Sequence, residues 1–303
     1  MRSMIIRSIG SALGLSIGLA AILTTTSTLA ASTLGAVGKA SEVHAVPFVK
    51  ILQSALPDPD WRHKVCQLTA GPLKSSSDPD LLRQEIASCE HEAPDLYRAK
   101  DKASGSYYTI LSGPKLVKVS FAVETGWKVL QNWDFSDHPA PEDPEDREEA
   151  RFYDIYPALY PLGGGRFAAA LTSERREMYL GGEADWTQAD FIELQPDGGH
   201  ANVPRVASLP FSCDRTIRGS GHSFGSLRLR FVPGANKDNL DWVATWKETF
   251  APEELADENG EDTSASARKY EDTSVSARLP AGQAPAAAGQ ALRDKISFCD
   301  GGP

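Results

Sequence analysis

The stretch Gly225-Ser226-Leu227-Arg228-Leu229-Arg230-Phe231-Val232 decides the fold class. Leu227, Leu229 and Phe231 alternate with Arg228 and Arg230, a period of two that only a β-strand with one dry and one wet face satisfies. Pro233-Gly234 and the polar residues through Asn239 then form a turn, and Leu240 to Lys247 follows with Trp242, Ala244 and Trp246 on one side. The two segments predict an antiparallel hairpin.

The same grammar extends toward the N-terminus. Gly163-Gly164-Gly165, Gly181-Gly182 and Pro196-Asp197-Gly198-Gly199 separate short segments rich in strand formers, Arg166 to Thr172, Glu177 to Leu180 and Asp190 to Gln195. Earlier still, Ser106 to Leu111, Lys115 to Glu124 and Trp127 to Trp133 are divided by Ser112-Gly113-Pro114 and Thr125-Gly126. Tyr153, Tyr156 and Tyr160 have a helix-like spacing, but Pro157 and Pro161 remove backbone donors and favour extended conformations before them. The expectation is a mainly β protein, α+β at most: an antiparallel sheet array of sandwich, barrel or propeller-like form over residues 101–250.

A helical lead-in is expected over residues 47–100. Asp78 and Pro79 form an N-cap and first-turn pair, and Leu81, Leu82, Ile86 and Cys89 recur at helical spacing. Cys66, Cys89, Cys213 and Cys299 contain no Cys-x-x-Cys pair, so disulfides rather than zinc are expected. Pairing of Cys66 with Cys89 and of Cys213 with Cys299 keeps each bridge within one half of the chain. The second would close a loop of about 85 residues and contribute roughly 4 kcal/mol by chain entropy.

Residues 1–30 read as an export signal: Arg2 and Arg7, an apolar run from Ser8 to Leu23, and Thr28-Leu29-Ala30 at a cleavage position. Cleavage after Ala30 is the first choice, which leaves 31–46 as a flexible mature N-terminus, and cleavage after Ala45 is the second. The apolar run is shorter than the roughly 20 residues that span a bilayer, so no stable membrane insertion after cleavage is expected, and the destination is periplasmic or extracellular. Removing these residues leaves 29 basic against 41 acidic residues, a formal charge of −12. Such a surface disfavours nucleic acid and anionic membranes as partners.

Two stretches lack the apolar content to order themselves: the acidic loop 139–149 and the low-complexity segment 251–290, expected to be a disordered linker before a C-terminal segment, 291–303, that returns Cys299. The linker holds a tandem repeat, Glu261-Asp262-Thr263-Ser264-Ala265-Ser266-Ala267-Arg268 and Glu271-Asp272-Thr273-Ser274-Val275-Ser276-Ala277-Arg278. Its ten-residue period suits no helical solenoid.

Gly221-His222-Ser223-Phe224-Gly225 matches G-x-S-x-G, the elbow that exposes a nucleophilic serine. The helix that must follow is replaced by an alternating strand, and all six histidines precede Ser223. Catalysis by Ser223 would therefore need His200 or His222 as base, with Asp197 or Asp214 as orienter, in an atypical architecture. Asp134, Asp137, His138, Glu142 and Asp143 could offer oxygen ligands to calcium, but lack EF-hand order. Asp154, Asp190 and Glu193 are carboxylates whose separation would decide glycosidic chemistry. Trp127, Trp133, Trp186, Trp242 and Trp246 fit a core better than a ligand platform. Arg228 and Arg230, with Arg215 and Arg218 upstream, form a basic strip on an acidic chain. No metal or cofactor is expected. The functional expectation is an exported, non-catalytic binding protein for another protein or an envelope component, acting as an inhibitor or neutraliser, with a serine hydrolase as the alternative.

Overall fold

Strand-forming segments joined by glycine turns pair with their sequence neighbours, and in this chain that rule holds across nearly the whole molecule. The computed structural model describes residues 43–70, 79–92, 94–99, 106–138, 153–198, 205–218, 221–252 and 271–282, with the single positions 290, 292 and 296. The export signal, Asp78, the acidic loop 139–149, His200 and Cys299 lie outside the described residues.

The strands are β1 Val46–Lys50, β2 Leu96–Ala99, β3 Ser106–Leu111, β4 Lys115–Ala122, β5 Gly126–Asp134, β6 Asp154–Gly163, β7 Arg166–Tyr179, β8 Gly182–Glu193, β9 Arg205–Ile217, β10 Gly221–Pro233, β11 Leu240–Pro252 and β12 Glu271–Leu279. Helices α1, Trp61–Thr69, and α2, Pro79–His91, lie between β1 and β2. The strands form one twelve-stranded antiparallel sheet in the order β12-β11-β10-β9-β8-β7-β6-β1-β2-β3-β4-β5. Two meanders thus meet at β1, which pairs with β6 through Val46 and Pro47 and with β2 through Phe48 to Lys50.

The mainly antiparallel expectation is met, and three local expectations are corrected. Val46, expected to end a flexible N-terminus, and residues 47–50, expected to start a helical lead-in, are a strand, because both meanders offer them backbone partners. Arg166 to Thr172 and Glu177 to Tyr179 belong to the continuous fourteen-residue β7, and Leu180 lies in the turn that follows. Within the expected disordered linker, Glu271–Leu279 is ordered as β12. Its composition is poor in apolar residues, but an edge strand needs only backbone bonds and a few inward side chains. Val275, Ala277 and Leu279 supply them.

Among the described residues three clusters make up the core. Residues Ala168 to Leu171 of β7 are completely buried. Ala168 and Ala170 join a cluster with Phe191, Phe231, Trp242 and Trp246, whereas Ala169 and Leu171 join another with Trp133, Phe135 and Leu159. A strand with a core on each side must carry an unbroken apolar run, and small residues let both layers approach it. The third cluster lies between α1 and β2 to β5 and contains Trp61, Val65, Tyr107, Val117, Val119 and Trp127.

A bulge explains how β5 serves two clusters. Lys118 opposes Gln131 but Val119 opposes Val129, so Leu130 is an extra residue and is 41% exposed. Without it Trp127 and Trp133, six residues apart, would share a face. With it, Trp127 joins the helix-side cluster and Trp133 the one shared with β7. Asp58 fixes α1 to this sheet by accepting bonds from Lys64 at 2.8 Å and from Trp127 Nε1 at 3.0 Å. The Cys66–Cys89 disulfide joins α1 to α2 across 23 residues, as expected. Cys213 is also disulfide-bonded, and its expected partner Cys299 lies outside the described residues.

The second meander coils until β11 meets β6. Trp242 Nε1 donates to the Pro161 carbonyl at 3.2 Å, and its ring lies edge-on to Phe191 and Phe231. Gly163, at φ +95°, sits where a Cβ would overlap the Asp238 carbonyl, so the β6–β7 turn can touch the β10–β11 turn only as glycine. At Gly225 a Cβ would overlap the indole ring of Trp246. Gly225→Ala is therefore expected to displace Trp246 and lower stability by about 2 kcal/mol. The check is a lower urea midpoint at unchanged m-value, with altered tryptophan fluorescence.

Candidate functional site

The serine of the G-x-S-x-G match is not at an elbow. Gly221 to Pro233 is one strand, and Ser223 lies inside it, opposite Arg215 of β9 and Phe250 of β11. Ser223 is 1% exposed and its hydroxyl has no hydrogen-bond partner among the described residues. His222, the adjacent residue, projects to the other face by the pleat and pairs with Asp214 there. It cannot serve as base to Ser223 in this arrangement. His200 and its neighbour Gly199 lie outside the described residues.

The remaining candidates are scattered. Asp134 is bound to Ser136 and Lys115, Asp137 is exposed and His138 is buried, while Glu142 and Asp143 lie outside the described residues. Among the described residues no three His, Cys, Asp or Glu side chains are placed to hold a metal ion. Asp154 is exposed at the start of β6, away from the buried Asp190 in the middle of the sheet. Arg228 and Arg230 project outward from β10, but Arg215 opposes Ser223 on the inward face and Arg218 follows β9, so the four do not form one strip. Trp127, Trp133, Trp242 and Trp246 are buried, and Trp186 is half-buried against the main cluster, opposite Arg175 and Cys213. Core is their role.

One of the weighed carboxylates, Asp190, is the centre of a buried polar cluster. Its Oδ2 accepts from Tyr153 at 3.1 Å, faces Arg205 Nε at 3.2 Å and lies 3.4 Å from His138 Nε2. Burial alone would raise its pKa, but bonds from His138 and Ser208, the Arg205 charge and the Tyr153 bond together outweigh burial and hold it below the ordinary 3.8. His138 and Tyr153 are the described residues at either end of the segment 139–152. Asp190 thereby ties both roots of the acidic loop to β8.

Arg205 also borders a cavity of about 430 Å³ where β6, β9, β11 and the end of β12 converge. Leu162, Ala207, Trp242 and Leu279 give it apolar walls. Arg166, Glu193 and Asn239 join Arg205 at its polar side, with Arg166 bonded to Glu193 at 3.1 Å and to Asn239. The lining thus carries two guanidinium groups and one carboxylate on a protein whose overall formal charge is −10. The size lies within the range of small-molecule sites, roughly 300–1,000 Å³.

Of these residues, sequence reading singled out Asp190, Glu193 and Trp242. It missed Arg166, Arg205 and Asn239, because they come from a turn, a strand start and a distant hairpin that only coiling of the sheet unites. The apolar-to-arginine alternation that flagged Arg228 and Arg230 reports an outward face and has no bearing on this interior. Comparison with protein-family models, curated proteins and solved structures finds no match to this chain.

The Asp190 cluster gives a pH signature with a definite sign. A carboxylate whose folded pKa is depressed stabilises the fold above its unfolded pKa and loses that contribution as pH falls through the folded value. Asp190→Asn is expected to cost about 3 kcal/mol at neutral pH by leaving Arg205 without its buried counter-charge. The difference from the unsubstituted protein should stay level from about pH 8 to 5 and shrink below about pH 4, as read from urea unfolding.

Proposed function

We propose that this is an exported, non-catalytic binding protein that holds an envelope component carrying an apolar segment and an anionic group. The observation that carries the proposal is the cavity beside Trp242: apolar walls supply the affinity and Arg166 and Arg205 face the charge. The burial of Ser223 within a strand, with His222 turned away from it, favours binding over the serine hydrolase alternative. The Cys66–Cys89 disulfide agrees with an oxidising compartment. No helix among the described residues is long and apolar enough to cross a membrane.

An anilinonaphthalene sulfonate dye combines both ligand features and is the probe of choice. Its fluorescence should rise to saturation at one site and be competed away by long-chain fatty acids. Arg166→Gln is expected to weaken the dye about tenfold, near 1.4 kcal/mol. Ala281→Trp, at the exposed rim, should block it without touching the core. Non-saturable fluorescence, or binding indifferent to both substitutions, removes this reading. Ester turnover abolished by Ser223→Ala would instead establish the hydrolase.

A further inference from the structure

The duplicated octapeptide acquires a meaning from the pairing of β12. Its second copy, Glu271 to Arg278, is that strand, paired along one edge of β11 from Phe250↔Glu271 to Trp242↔Leu279. Asp272 accepts from Thr249 at 2.8 Å, Thr273 donates to Glu248 at 3.5 Å, and Ser276 shares a bond with Thr245 at 2.8 Å. Arg278 donates to the buried Asp241 at 2.8 and 3.1 Å. Each of these side chains recurs ten positions earlier, as Asp262, Thr263, Ser266 and Arg268.

We infer that this edge of β11 is a recognition edge for the sequence Glu-Asp-Thr-Ser-x-Ser-Ala-Arg, and that residues 261–268 are a second occupant competing in the same chain with residues 271–278. The main-chain bonds of an edge strand do not depend on sequence, and the polar side-chain bonds above are available to both copies. Moving the seat by ten residues keeps every inward position inward, because ten is a multiple of the strand period. The link from Pro252 shortens from residues 253–270 to residues 253–260, still longer than the usual hairpin connection of two to five residues.

Two positions separate the occupants. Val275, opposite Trp246, is Ala265 in the first copy, and the buried Leu279, opposite Trp242, corresponds to Lys269. Both face the main core cluster. The second copy therefore holds the seat through two inward apolar side chains, while polar recognition is common to both. This inference stands on strand register and needs no ligand, although Leu279 also walls the cavity described above.

Hydrogen exchange on the full-length oxidised protein, resolved by peptide mass spectrometry, tests it with two variants. Ala265→Val/Lys269→Leu leaves β12 untouched and equalises the inward residues. Amides of 261–269 should then gain protection and those of 271–279 lose it reciprocally, each sharing the seat about equally, a protection ratio between segments near 1. Val275→Ala/Leu279→Lys should move protection in the same direction by weakening the present occupant. The inference is overturned if 261–269 gains no protection in the first variant. It is equally overturned if protection there rises without loss at 271–279, which means an added outer strand, or if the gain grows with protein concentration, which means exchange between molecules.

Discussion

Complete burial of Ala168, Ala169, Ala170 and Leu171 on both faces of β7 is the constraint around which the rest is arranged. One face receives the aromatic cluster around Phe191 and Trp242, the other the Trp133 and Leu159 cluster. Larger side chains on β7 would push both layers outward, and the layers would lose dispersion contacts along their whole length. The alanines also explain the abundance of large aromatics elsewhere. Where the central strand supplies little volume, Trp242, Trp246, Phe191 and Phe231 must fill it from the facing strands.

Polar groups inside this frame follow from the same geometry. Asp190 shares β8 with Phe191 and Ile192 but is buried as a charge, and it persists there because Arg205, Tyr153 and His138 meet at one oxygen. Ser223 Oγ and Trp246 Nε1 are buried and, among the described residues, have no hydrogen-bond partner, as is true of the second carboxylate oxygen of Asp190 itself. Each such group lowers stability by about 1–3 kcal/mol relative to a satisfied one. The shared neighbourhood of Ser223 and Trp246 on β10 and β11 also contains Gly225 and the buried Glu248.

Sequence periodicity announced this architecture where strands face water on one side. Gly225 to Val232 and Leu240 to Lys247 pair as their alternation requires, and Ser106 to Trp133 yields β3, β4 and β5. Periodicity was silent for β9, where Pro210 and a register shift near Phe211 interrupt alternation in a strand buried along its first half. It misjudged β12, whose Ser, Thr and Asp residues look like solvent-loving linker until β11 offers them a pattern of matching donors and acceptors. The Cys66–Cys89 bridge was legible because one helix period placed Cys89 inward. The cavity was not, since residues from Leu162 to Gly282 meet there only after coiling.

The divided allegiance of β1 sets an order of assembly. Its second half pairs with β2, a partner about 50 residues away, whereas its first half waits for β6, more than 100 residues downstream. A chain emerging from its N-terminal end can complete the β1-to-β5 meander while Val46 and Pro47 still present a vacant template. The later meander then grows from a margin already in place, so its register is inherited from the earlier one rather than chosen afresh.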